Sequence, residues 1–138
     1  VDIDLLANEI GSFNGSVGVP VPKDGLYLLN VDADGNWAIS ASYPDVSAAS
    51  ETSAISGHGK QLTEPILMKQ GLATFQLKHN GSRNFAVWLY RPDGRIVDLL
   101  VNEIGPFDGS TSVGIKSPGP HLLDVDADGD WTIEWLQR

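Results

Sequence analysis

Hydrophobic and polar positions alternate through much of the second half of the chain. In residues 72–79, Ala73, Phe75 and Leu77 alternate with polar side chains, which is the pattern of a half-buried strand. In residues 84–90 both sets of alternate positions are largely apolar, which predicts a central strand. Seven strands are predicted, at 61–67, 71–79, 84–91, 96–101, 111–116, 120–126 and 130–136. Short strands separated by turn signals indicate an all-β fold, a β-sandwich.

One part of the sequence occurs twice, at a constant offset of 94 residues. DLLANEIGSFNGS begins at Asp4 and returns as DLLVNEIGPFDGS at Asp98, and LLNVDADGNWAI returns as LLDVDADGDWTI. Between residues 4–39 and 98–133, 21 of the 36 aligned pairs are identical. The chain therefore contains a duplicated unit.

The two copies differ in completeness, because long patterned sequence precedes only the second. We expect residues 1–43 to be the C-terminal half of a first β repeat, 44–56 a Ser- and Ala-rich linker, and 57–138 a complete repeat. Strands of the first copy are expected near 4–10, 17–22, 26–32 and 36–41. Half a sandwich leaves an open strand edge, so we expect residues 1–43 to be completed by a neighbouring repeat or in a homo-oligomer.

Composition narrows the classes of partner. Eighteen acidic residues against nine basic ones give a net charge of −9, which disfavours binding to nucleic acid or an anionic membrane surface. No apolar stretch approaches the roughly 20 residues of a membrane helix, so membrane insertion is not expected. The absence of cysteine excludes disulfides, thiol catalysis and thiolate metal sites. Because the chain begins with Val1 and shows no signal peptide, we expect a processed form or a fragment.

The repeated acidic segment is the candidate for metal binding. Its potential calcium ligands are Asp124, Asp126 and Asp128 in the second copy and Asn30, Asp32 and Asp34 in the first. Alternate acids before a Gly match the start of a calcium loop, but Trp135 and Ala41 occupy the twelfth position, where a bidentate Glu is expected. The alternative is a Gly-containing hairpin between the last two strands, supported by Asp side chains. We favour the hairpin and expect no cofactor, with calcium left open.

Catalytic chemistry is not expected. The repeated NEIG cluster, residues 8–11 and 102–105, is interpreted as a cap where the chain crosses between sheets, because a catalytic group is seldom needed twice. The three histidines lack zinc-binding spacing, and no nucleophile elbow, Walker loop or dinucleotide fingerprint occurs. We expect no catalytic residues and a protein that is not an enzyme.

The aromatic residues divide between core and surface. Trp37 and Trp131 occupy equivalent positions and are expected in the core. Trp88 and Tyr90 lie on the opposite strand face from the apolar core positions, so they are the candidate ligand-binding residues for stacking on carbohydrate. The predicted core of the second copy is Phe75, Leu77, Phe85, Val87, Leu89, Leu123, Val125, Trp131 and Ile133.

The run from GLATFQLKHNGSRNFAVWLY through DLLVNEIGPFDGS to LLDVDADGDWTI resembles an uncharacterised repeat of bacterial and archaeal secreted and surface proteins and lipoproteins. That repeat is similar to the jelly-roll modules of secreted hydrolases. The resemblance covers 57–138 fully and 1–43 as a half, and it implies an extracellular or cell-surface location. NEIG and DADG(D/N)W mark the fold and carry over no catalytic residue.

Together these observations indicate a non-catalytic extracellular module for binding, adhesion or spacing in a surface or secreted repeat protein. Two alternatives are a carbohydrate-binding module of a secreted hydrolase and a self-assembling filament or surface-layer subunit. The expected partners are carbohydrate and further copies of the repeat.

Overall fold

The computed structural model describes residues 4–137. Residues 1–3, at the start of the predicted half repeat, and residue 138, at the end of the predicted complete repeat, lie outside the described residues. The strands are β1 (Ala54–His58), β2 (Gln61–Leu62), β3 (Ile66–Met68), β4 (Gly71–His79), β5 (Asn84–Tyr90), β6 (Ile96–Ile104), β7 (Phe107–Ile115), β8 (Gly119–Asp126) and β9 (Asp130–Gln137). In the described part of the chain, no helix is long and apolar enough to cross a membrane.

The strands form two antiparallel sheets that pack face to face. One sheet has the order β1-β9-β4-β7, and the other has the order β2-β8-β5-β6 with β3 also paired to β8. The predicted all-β sandwich is confirmed.

The core lies between the sheets and follows the alternation in the sequence. All nine residues predicted for it are at most 2% exposed. Trp131 and Ile133 point to the same face, and the Trp135 ring lies 6.0 Å from that of Phe75 on the adjacent strand. Inward apolar positions with period two thus fix which face each strand buries.

Pro65 explains why the predicted strand 61–67 is two short strands. Proline has no N–H to donate to a sheet ladder. Between the two short strands, Thr63 stays bonded to β8. Its N–H donates to the Leu123 carbonyl at 2.9 Å, and its hydroxyl accepts from the Leu123 N–H at 3.0 Å.

The predicted linker 44–56 contains local structure. Val46–Ala48 form a single 3-10 turn, Ser50 pairs with Ile66, and β1 begins at Ala54. The Ser/Ala composition did not reveal these contacts because they are made by backbone groups: the Ser50 N–H donates to the Pro65 carbonyl at 3.0 Å.

The four strands predicted in the first copy are wrong for the described residues, since 4–53 contain no named strand. In the second copy the equivalent strands β6 to β9 bond to β1, β4 and β5, and the first copy has no such neighbours. Most of its large apolar side chains are therefore exposed: Leu5, Ile10, Phe13, Val21, Leu26, Tyr27, Leu28, Leu29, Trp37 and Ile39. The sharpest contrast is between Trp37, 58% exposed, and its equivalent Trp131, 2% exposed.

Candidate functional site

Four connections meet at one end of the sandwich, and we call them the turn cluster: residues 59–60, 80–83, 105–106 and 127–129. They are tied together by backbone hydrogen bonds. The Gly59 N–H donates to the Gly129 carbonyl at 2.9 Å, and the Gly105 N–H donates to the Arg83 carbonyl at 2.8 Å. Residues 127–129, the part of the repeated acidic segment that joins β8 to β9, belong to this cluster and are called the acidic turn.

Asp128 holds two of the turns together. Its carboxylate accepts hydrogen bonds at 3.1 Å from the backbone N–H groups of Ser82 and Arg83, and one from the Ser82 hydroxyl at 3.3 Å. Partial burial alone would raise the pKa of the Asp128 carboxyl, but these hydrogen bonds outweigh it and lower the pKa below its usual value. The favoured state is the ionised one, acting as an acceptor within the protein.

His79 forms the floor of the turn cluster. Its ring is buried and stacks on Phe85 with the centroids 4.5 Å apart. Nδ1 lies 3.0 Å from the Gly105 carbonyl oxygen, and Nε2 accepts from the Gly129 N–H at 3.2 Å. Nδ1 as the donor and Nε2 as the acceptor satisfy both contacts. His79 thereby links the β6–β7 connection to the acidic turn.

Asn80 and Asp130 join the 80–83 turn to the acidic turn at the exposed surface of the turn cluster. The Asp130 N–H donates to the Asn80 Oδ1 at 2.8 Å, and the Asn80 amide donates to the Asp130 carboxylate at 3.3 Å. His58 Nδ1 lies 2.7 Å from that carboxylate, and its hydrogen bond, followed by that of Asn80, lowers the pKa of Asp130. The Asn-Gly-Ser sequence at 80–82 is thus a turn whose Asn side chain is engaged within the protein.

Gly129 lies against the neighbouring turn so closely that it tolerates no side chain. A Cβ there would be 2.5 Å from the Gly81 nitrogen and 2.6 Å from the Asn80 Oδ1. Gly35 is its equivalent in the first copy, and a Cβ at Gly35 would meet nothing within 4 Å.

We therefore expect Gly129→Ala to lower the free energy of unfolding by about 1–3 kcal/mol, because backbone must move to admit the methyl group. Gly35→Ala, the matched control, should change it by no more than about 0.5 kcal/mol. Urea denaturation of both variants measures the difference. Equal effects of the two substitutions would contradict the packing described for the turn cluster.

The other two acids of the second-copy segment meet different partners. Asp126 Oδ1 lies 3.9 Å from the Lys60 ammonium and is half exposed. Asp124 is only 7% exposed and interacts with the backbone N–H of Gly18 in the first copy. Burial raises the pKa of Asp124 to about 6, although Lys60 and the Gly18 hydrogen bond lower it.

The candidate calcium ligands therefore differ in their surroundings. In the first copy, Asn30, Asp32 and Asp34 are exposed. Within residues 4–137 no three His, Cys, Asp or Glu side chains are grouped as a metal would need. Calcium binding by these residues stays a prediction.

Trp88 and Tyr90 lie on the outer face of the five-stranded sheet and are half-buried. Both belong to β5, where they pair with Asp124 and Leu122 of the adjacent strand β8. Burial is the main cause that raises the pKa of Tyr90, followed by the charges of Asp124 and Asp4. The candidate carbohydrate residues thus share this face with acidic groups, and their role in binding stays a prediction.

The first copy crosses the sandwich beside this face. The Ser16 N–H donates to the Lys60 carbonyl at 3.2 Å, and the Ser16 hydroxyl accepts from the Leu62 N–H at 2.7 Å. Pro20 lies against Gly94, where a Cβ would be 2.9 Å from the proline ring. These contacts place residues 16–20 between β2 and the turn that joins β5 to β6, which the sequence did not predict.

Residues 102–104 of the second NEIG motif belong to β6, and Gly105 lies in the connection to β7. Asn102 and Glu103 are exposed strand residues paired with Ala86 and Phe85 of β5. The predicted change of sheet is present, because β6 and β7 lie in different sheets and Gly105, with φ 92°, forms the corner between them.

Sequence reasoning missed His79, Asn80 and Ser82 as partners of the acidic turn. Their contacts span 46 to 50 residues along the chain, and no spacing rule connects them. The one available signal was that each sequence, HNGS and DADGD, ends a predicted strand.

Comparisons with protein-family models, with curated proteins and with solved structures gave no match to this chain.

Proposed function

We propose that the protein is a non-catalytic, extracellular β-sandwich module for binding, adhesion or spacing in a surface or secreted repeat protein. The observation that carries the proposal is the use of the repeated acidic turn. In the second copy, Asp128 and Gly129 are engaged by Ser82, Arg83 and His79 of the same sandwich. A motif used in this way supports a role in holding each repeat together.

The path of the chain also supports a repeat module. Ala54, at the start of β1, pairs with Glu134 near the end of β9, whereas His58 pairs with Asp130 beside the turn cluster. The chain therefore enters and leaves the sandwich at the end opposite the turn cluster. In a tandem array, connections would lie at one end of each module and leave the turn cluster free to face outward.

A carbohydrate-binding module is the second candidate, and the observation that favours it is the pair Trp88 and Tyr90 on one outer sheet face. Stacking of a sugar on these rings would change the fluorescence of Trp88. Titration with oligosaccharides, compared with the Trp88→Phe variant, tests that candidate.

The proposal predicts that Asp128→Asn destabilises the protein whether or not calcium is present. The amide would turn one acceptor into a donor that faces the N–H groups of Ser82 and Arg83, at a cost of about 1–2 kcal/mol. Asp126→Asn, the matched control, removes the same charge from a half-exposed side chain and should cost less than about 0.5 kcal/mol.

Urea denaturation of both variants, with calcium and with a chelator, makes this test. If the acidic turn instead served to hold an ion, calcium would stabilise the unsubstituted protein by mass action, and both substitutions would abolish that stabilisation. That result would contradict a purely structural role for the acidic turn.

A further inference from the structure

We propose that residues 4–41 form a docking surface for a polypeptide segment that is equivalent to residues 54–90, the strands β1 to β5. This segment would be supplied from outside these 138 residues. This inference rests on the proposed function as a repeat module and names the partner of its exposed half. A β1–β5 segment is the half sandwich that residues 54–90 provide to the second copy.

The apolar positions of the first copy support this partner. Residues 98–133 and 4–39 are 21 of 36 identical, and the core positions of β6 to β9 stay apolar in the first copy. Leu123 and Ile133 are fully buried, whereas their equivalents Leu29 and Ile39 are about half exposed. In the second copy β1, β4 and β5 pair with β6 to β9, so a segment with that pattern of inward side chains fits the same positions.

The polar residues specify the partner more closely. Asp34 and Gly35 are equivalent to Asp128 and Gly129, which bind the backbone of Ser82 and Arg83 and the ring of His79. The first copy retains both residues without that loop. The docked segment should therefore carry a His-Asn-Gly-Ser turn between two strands, as residues 79–82 do.

The backbone of the first copy already has the corner that docking needs. Gly11 has φ 91° and its equivalent Gly105 has φ 92°. In the second copy this corner receives Arg83 and His79 through the Gly105 N–H and carbonyl. The left-handed conformation at Gly11 presents the same two groups to an incoming loop.

A second copy of this chain is not the partner, because each chain has more C-terminal halves of the repeat than N-terminal halves. Each chain carries two C-terminal halves, residues 4–41 and 98–137, and one N-terminal half, residues 54–90. Exchange between chains would cover one C-terminal half only by uncovering another. A homo-oligomer built by strand exchange therefore always leaves one half per chain exposed.

The test is a chain in which a duplicate of residues 44–97 is joined directly before Asp4. Because Asp4 aligns with Asp98, joining Val97 to Asp4 keeps the natural register. Acrylamide quenching of Trp37, isolated by subtracting the Trp37→Phe variant, should fall several-fold relative to the chain as it is. Hydrogen exchange in residues 4–41 should slow in the extended chain alone.

The matched control is the extended chain with Asp in place of Phe85 and Val87 of the added duplicate. Acrylamide should quench its Trp37 as strongly as in the original 138-residue chain. Gly35→Ala should destabilise the extended chain and leave the original chain unchanged, since only docking would bring a turn against Gly35. If the fusion does not fold, a separate peptide of residues 44–97 added to the 138-residue chain should protect Trp37 instead.

Unchanged quenching of Trp37 in both the fusion and the peptide mixture would overturn the docking proposal. Protection of Trp37 in the original chain, together with a dimer mass by light scattering, would assign the surface to a second copy and also overturn it. Neither result depends on the outcome of the Asp128→Asn experiment, so the docking proposal and the proposed function fail separately.

Discussion

Replacing Trp131 with alanine is expected to lower the free energy of unfolding by about 3–5 kcal/mol. The indole is 2% exposed and packs in the core between the sheets, and its Nε1–H donates to the Gly59 carbonyl at 3.0 Å. The substitution removes the buried apolar area, leaves a cavity and breaks that hydrogen bond. For a small domain with about 5–15 kcal/mol of stability, this loss is severe.

The matched control is Trp37→Ala, at the equivalent position of the first copy. Because the Trp37 side chain is 58% exposed, its removal should change the free energy of unfolding by about 0.5 kcal/mol or less. Urea denaturation followed by circular dichroism measures both variants. A large effect of Trp37→Ala in the monomeric chain would show that the Trp37 side chain is packed in a core, contrary to the structure.

The second large effect is expected from Asp124→Asn, which should stabilise the protein at neutral pH. Burial of the carboxyl raises its pKa from 3.8 to about 6. The folded state therefore binds the proton more tightly than the unfolded state, and ionising Asp124 above pH 6 costs about 3 kcal/mol. The amide removes that cost and can still accept from Gly18, and Asn30 occupies the equivalent position of the first copy.

The sign of the pH dependence follows from the raised pKa. The contribution of Asp124 to stability falls as the pH rises from about 4 to 6, is lost above the folded-state pKa, and is fully present below pH 3.8. The difference in unfolding free energy between Asp124→Asn and the unsubstituted protein should thus grow from near zero to its full value across this window. Asp126→Asn controls for the loss of one negative charge.

Urea denaturation at pH 3.5, 5 and 7 measures this difference. A variant that is less stable than the unsubstituted protein at pH 7, or equally stable at every pH, would contradict the burial of the Asp124 carboxylate beside residues 16–20.

The second copy was predictable because its strands alternate cleanly. In β4, Ala73, Phe75 and Leu77 alternate with polar residues, and the strand has the predicted bounds 71–79. Pro92-Asp93-Gly94, whose residue types favour a turn, forms one, with the Gly94 N–H donating to the Arg91 carbonyl at 2.9 Å. Local pattern suffices where each residue's environment follows from its strand face.

The first copy shows where local pattern fails. Trp37 and Trp131 stand in nearly identical sequence, yet only Trp131 is buried, because only the second copy has β1, β4 and β5 beside it. A strand needs a neighbour to bond to, and its own sequence cannot supply one.

The turn cluster was unpredictable for a related reason. His79, Asn80 and Ser82 reach the acidic turn only after β4 and β9 pair across the sheet, as the His79–Trp131 register shows. The sequence could identify Asp128 as a turn residue, whereas the donors to its carboxylate depend on tertiary structure.

Site-resolved hydrogen exchange on the 138-residue chain at low concentration compares the two copies position by position. Residues 54–137 form a complete sandwich, whereas most positions of residues 4–41 that are equivalent to its core are exposed. We predict strong protection of amides in β4, β5, β8 and β9, including Val125 and Ile133. Their equivalents in the first copy, Val31 and Ile39, should exchange near the unstructured rate. Comparable protection of the two copies in a monomer would contradict this difference between them.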